Sequence, residues 1–109
     1  MAYDEVLAER VRRALAGRND LSEKKMFGGV AFMLHGNMSC GVEKDQLMVR
    51  VGPERHEEAL AQPHARPMDF TGRPMRGMVY VTPEGCRTDE ALKRWVEQGL
   101  NFAASLPPK

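Results

Sequence analysis

Between Met26 and Val51 the chain alternates short apolar runs with tight turn signals, and that pattern commits it to an antiparallel sheet. Met26-Phe27-Gly28-Gly29-Val30-Ala31-Phe32-Met33-Leu34 is apolar almost throughout. A run this short and apolar reads as a strand covered on both faces, with Val30, Phe32 and Leu34 sharing one of them. Gly36-Asn37 then sits between two apolar runs, a two-residue hairpin signal. Met38, Cys40 and Val42 alternate with Ser39 and Gly41, the mark of a half-buried strand. A turn over Glu43 to Asp45 leads to Leu47, Val49 and Val51, alternating with Met48 and Arg50. Three consecutive strands joined by such turns form a meander.

Helices bracket this meander. From Asp4 to Ala16, Val6 or Leu7, Val11, Ala14 and Leu15 recur at spacings of three and four, which predicts an amphipathic helix. Asp4 suits its N-cap, and Gly17 the left-handed residue that ends it. Arg18 to Lys25 is polar and reads as the exit loop. After Gly52, Pro53 fits a first helical position, and Glu54, Glu57 and Glu58 load the start of a short helix that ends before Pro63. Residues 62–77 hold three prolines and two glycines, with a short extended piece expected near Met68 to Thr71. Met78 to Thr82 is a strand, Pro83-Glu84-Gly85 a turn, and Thr88 the cap of the longest helix. Leu92, Trp95, Val96, Gly99, Leu100 and Ala103 form the apolar stripe of that helix. Runs of strands rather than strict strand-helix alternation give an α+β fold, an antiparallel sheet packed against helices.

Length and charge narrow the function classes. A chain of 109 residues holds one domain, residues 1–109. Its 16 Lys and Arg against 15 Asp and Glu leave a net charge of +1. That balance argues against direct DNA binding carried by bulk charge. No apolar run is long enough for a membrane span and no signal peptide is apparent. Two cysteines cannot staple a secreted scaffold, so a reduced, cytoplasmic protein is expected.

No motif announces catalysis or a cofactor. Cys40 and Cys86 are far apart, and His35, His56 and His64 have no ligand spacing. There is no GxSxG, P-loop or GxGxxG. The carboxylate pairs Glu57-Glu58 and Asp89-Glu90 sit in first helical turns, where the helix dipole explains them. Cys86 precedes a helix N-terminus, a position that can activate a thiol. Arg10, Arg12 and Arg13 read as a solvated helix face. Arg66, Arg73 and Arg76 lie in the proline-rich segment with only Asp69 opposing them, which could hold an anion or an acidic partner. Met33, Met38, Met48, Met68, Met75 and Met78 sit in or beside strands, as core filling or as an adaptable contact surface.

Lys24-Lys25-Met26-Phe27-Gly28-Gly29 before an apolar strand is the most distinctive stretch. Together with Gly36-Asn37-Met38, Leu47-Met48-Val49-Arg50-Val51, Met78-Val79-Tyr80-Val81 and the final Trp-containing helix, it resembles the N-terminal domain of the TfoX/Sxy family. The resemblance runs from the first helix to Leu106, without the second, C-terminal helical domain that named members carry. It implies the order α-β-β-β-α-β-β-α, similar to secretion-chaperone-like folds. Those members are bacterial regulators of natural competence genes, thought to act with a cyclic-AMP receptor-type activator. The resemblance offers no catalytic residues. Physically, Gly28 and Gly29 permit a bulge or a close approach of another backbone, with Phe27 an anchor and Lys24 and Lys25 solvated.

The expectation is a non-catalytic regulatory or protein-interaction domain without a cofactor, whose partner belongs to the transcription machinery by resemblance. Its contact surface would join Lys24, Lys25, Phe27, Gly28 and Gly29 to Arg66, Arg73 and Arg76. The alternative is a small anion-ligand binder or small enzyme built on the arginine loop. Open sheet edges also suggest a homodimer.

Overall fold

The computed structural model describes residues 3–16, 20–26, 28–67 and 77–107. Helix α1, Glu5–Ala14, begins where the Asp4 carboxylate accepts from the Val6 and Leu7 N–H groups at 2.9 and 3.2 Å. Four strands follow: β1 (Leu21–Met26), β2 (Gly29–Leu34), β3 (Asn37–Glu43) and β4 (Gln46–Arg50). A 3-10 turn, Pro53–Arg55, leads into α2, His56–Leu60. Strands β5 (Ala65–Pro67) and β6 (Met78–Val81), a 3-10 turn over Pro83–Cys86 and α3 (Asp89–Ala104) complete the chain. Thr88 caps α3 as its sequence promises, accepting from Ala91 N–H at 3.1 Å.

One six-stranded sheet runs in the order β1-β2-β3-β4-β6-β5, antiparallel at every pairing. The α+β class and the order of elements stand as expected, with one addition. The segment read as an exit loop is β1, paired residue for residue with β2. Two smaller readings shift. The β2–β3 turn is His35-Gly36, both at positive φ, and Asn37 is the first residue of β3. The extended piece after α2 is Ala65–Pro67, whereas Met68 to Thr71 lies outside the described residues, as does Gly17.

The helices cover one face. Leu7, Ala8, Val11 and Leu15 of the first helical segment meet Val30, Phe32, Cys40, Val42, Leu47 and Val49 of the sheet, with Leu92, Trp95 and Val96 of α3 between them. Gly99 makes that fit possible. A Cβ there would run into the Ser39 carbonyl oxygen, so α3 lies directly on the backbone of β3.

The opposite face carries a second cluster of Ala31, Met38, Met48, Met78 and Tyr80, with Met33 packed against it. Met38 is here rather than with Cys40 and Val42 because the β2–β3 register shifts between Phe32 and Met33. One added residue exchanges the faces of a strand. On this side the Tyr80 hydroxyl is shared between both carboxylate oxygens of the buried Glu43, at 3.0 and 3.1 Å. At Gly77 the backbone is pinned through both its N–H and its carbonyl. Gly77 N–H donates to His56 Nδ1 at 2.9 Å, and its carbonyl accepts from Val51 N–H at 2.8 Å.

Candidate functional site

Helix α3 presents Ala91, Arg94, Gln98 and Asn101 at spacings of three and four, a stripe on the side away from α1. Facing it are α2, the turn after it and the Pro83–Cys86 turn. Between them lies a hollow of about 590 Å³, bordered by Glu58, His64, Glu84 and Arg94 and floored by the buried Trp95. His64 is held at φ 70°. Its carbonyl accepts from Thr82 N–H at 2.9 Å, which ties this turn to the end of β6. Gly85 leaves the space for it, since a Cβ there would stand 2.8 Å from His64 Cβ.

A second hollow of about 550 Å³ continues toward the C-terminal end of α3. Val51, Gly52, Pro53, Phe102 and Leu106 make it apolar. Gly52 sits at φ 88° under the Phe102 ring, and the Arg50 guanidinium lies 5.2 Å from the centre of that ring. The two hollows share Arg55, Gln98 and Asn101, so they meet as one groove along α3.

The electrostatics of this groove are unusual for a nearly neutral chain. Glu54, Glu58, Glu84 and Glu97 face only Arg55 and Arg94 among its charged side chains, leaving it acidic. None of these six takes part in a salt bridge or side-chain hydrogen bond among the described residues. Val6, 72 % exposed, is the one large hydrophobic side chain in the open among the described residues.

The family model of the TfoX N-terminal domain matches residues 13–103. The chain belongs to the TfoX N-terminal domain family. No curated protein and no solved structure matches it. No helix among the described residues of this TfoX N-terminal domain is long and apolar enough to cross a membrane.

The residues singled out in the sequence are not gathered into one surface. Lys24 and Arg66 do share a row across the second face, Lys24–Ala31–Gly41–Met48–Tyr80–Arg66. They stand at opposite edges, five strand spacings or about 24 Å apart. Lys25 pairs with Val30 and is exposed, like Lys24 and Gly28. Gly29 is buried, and a Cβ on it would strike the Val42 carbonyl oxygen, the close backbone approach that the double glycine suggests. Phe27, Arg73 and Arg76 lie outside the described residues.

The activated-thiol reading of Cys86 does not hold. Its side chain is buried, its Sγ–H donates to the Thr82 carbonyl at 3.4 Å, and burial pushes the thiol above its ordinary value. Burial pushes the Cys40 thiol up to about 12. The groove has no signature in the sequence, because its walls come from four separate segments and none is a motif. The one available signal is the spacing of Arg94, Gln98 and Asn101 beside the apolar stripe that α3 buries on the sheet.

Proposed function

We propose that this TfoX N-terminal domain is a non-catalytic regulatory module that acts by binding a protein of the transcription machinery. The observation that carries the reading is the groove along α3, whose six charged side chains have no partner within the described fold. Charges that serve only folding are commonly paired or spread over open surface, whereas these border a concave site of ligand-binding size. Family membership supports the regulatory half of the reading, because named TfoX/Sxy members are regulators of competence genes, thought to act with an activator protein. The near-zero net charge favours contact with protein over contact with DNA.

Affinity capture of the tagged chain from its own cells, with and without nuclease, tests this. A transcription activator or polymerase subunit recovered in both arms agrees with the proposal. Recovery lost on nuclease treatment makes nucleic acid the bridge and overturns it. An empty capture, with a phosphate, nucleotide or carboxylate stabilising the protein, replaces it by the anion-ligand reading. A compound at 100 times its Kd would add about 2.7 kcal/mol.

A further inference from the structure

We propose that the groove along α3 receives a short extended peptide segment, basic at one end and bearing a large apolar side chain at the other. This rests on the protein-binding reading above and names what the partner must present. The two ends of the groove differ in chemistry. At one, Glu58, Glu84 and Glu97 outnumber Arg55 and Arg94. At the other, Phe102 and Leu106 face Pro53 and Gly52. A lysine or arginine would find unpaired carboxylates at the first end, and a leucine- or phenylalanine-sized side chain would bury apolar area at the second.

Dimensions favour an extended strand of peptide. From Ala91 to its end at Ala104 the helix rises about 20 Å at 1.5 Å per residue. An extended chain covers that distance in about six residues. Between the ends, Gln98 and Asn101 offer amide donors and acceptors at the height where a peptide backbone would pass. An anionic ligand meets four glutamates against two arginines, so phosphates and nucleic acid are disfavoured in this groove.

The test is a display selection of random nine-residue peptides against the whole immobilised chain, followed by titration of a fluorescein-labelled winner. Enriched sequences should share a Lys or Arg separated from a large apolar residue by four to six positions. Binding should weaken at least tenfold in Glu58→Lys/Glu84→Lys, and at least tenfold in Leu106→Asp. Arg13→Glu, on α1, should change it less than twofold. If Leu106→Asp melts early, Asn101→Trp serves instead, since it fills the groove from the exposed side of α3. Absence of enrichment, acidic winners, or binding that ignores both ends overturns the inference. The two readings fail separately. A partner still captured by Glu58→Lys/Glu84→Lys and Asn101→Trp leaves the protein-binding role standing and removes the groove from it.

Discussion

The two flanks of α3 treat charge in opposite ways. On the α1 side, charges bridge elements. Arg12 donates from Nε and Nη2 to the two carboxylate oxygens of Glu23 at 2.8 and 2.9 Å, tying α1 to edge strand β1. It also reaches Glu9 at 3.3 Å, and Arg10 meets Asp89 at the start of α3 at 3.2 Å. On the α2 side, Glu58, Glu84, Arg94 and Glu97 bridge nothing among the described residues. The α1 side therefore holds charges that fasten neighbouring elements, and the α2 side holds charges that line a hollow and pair with nothing among the described residues.

Removing the support common to both flanks should have the largest effect. Gly99→Val puts side-chain atoms where the Ser39 carbonyl lies. We expect a loss of about 3 kcal/mol, at the upper end of what overpacking costs, seen as a lower urea midpoint. The groove and the α1 contacts should be lost together. An unchanged midpoint would mean that α3 does not rest on β3 as described.

Next comes a charge that belongs to neither flank. Glu43 is buried on the second face, and Tyr80 is its hydrogen-bond donor there. Tyr80→Phe keeps the ring and removes the hydroxyl, leaving a buried carboxylate short of a donor. The expected cost is about 1–3 kcal/mol. Adding Glu43→Gln to that variant should recover part of the loss. A Tyr80→Phe protein as stable as the parent would show that this carboxylate is solvated after all.

What the sequence made legible follows from how local each signal is. Asp4 and Thr88 cap their helices because a cap depends on three or four adjacent residues. The apolar stripe of α3 was readable for the same reason. Strand β1 was not, because Ser22, Glu23, Lys24 and Lys25 are exposed at the sheet edge and carry no apolar alternation. Edge strands are often charged in this way, which discourages pairing with other chains. The β2–β3 turn sits one residue early because His35 accepts φ 52°, a conformation the sequence assigns more readily to glycine or asparagine. The bulge at Phe32/Met33 leaves no local trace, so the move of Met38 to the second face could not be read. The groove is the extreme case: its residues converge only after β6 and α2 have positioned two turns against α3.

A smaller effect is expected for the pairing on the α1 flank. The Arg12 guanidinium holds the Glu23 carboxyl below its ordinary value, and the carboxylates in turn raise Arg12. Both side chains are partly exposed, so solvent screens the pair and Arg12→Ala should cost only about 0.5–1 kcal/mol. The folded-state value of Glu23 is depressed, so this contribution is complete above the ordinary glutamate value of about 4.3. It fades as pH falls through the folded-state value. The stability difference between Arg12→Ala and the parent should therefore be present at neutral pH, shrink on acidification and shrink with added salt. A difference that survives protonation of Glu23 would trace to lost packing of the arginine stem rather than to charge.

The smallest effect is expected on the other flank, and it separates the two most sharply. Glu58→Gln, Glu84→Gln and Arg94→Gln remove charges with no partner among the described residues. Each should move stability by less than about 0.5 kcal/mol in either direction. Like charges crowd the groove, so the two glutamate changes should lean toward stabilisation and Arg94→Gln away from it. Urea midpoints at low salt, where exposed charges are least screened, would resolve the sign. A loss above 1 kcal/mol in any of the three would place that side chain among the fasteners, like Arg12, and return the groove to the folding account. Near-neutral changes in all three would leave these charges without a structural duty, which is the condition that ligand selection at this site requires.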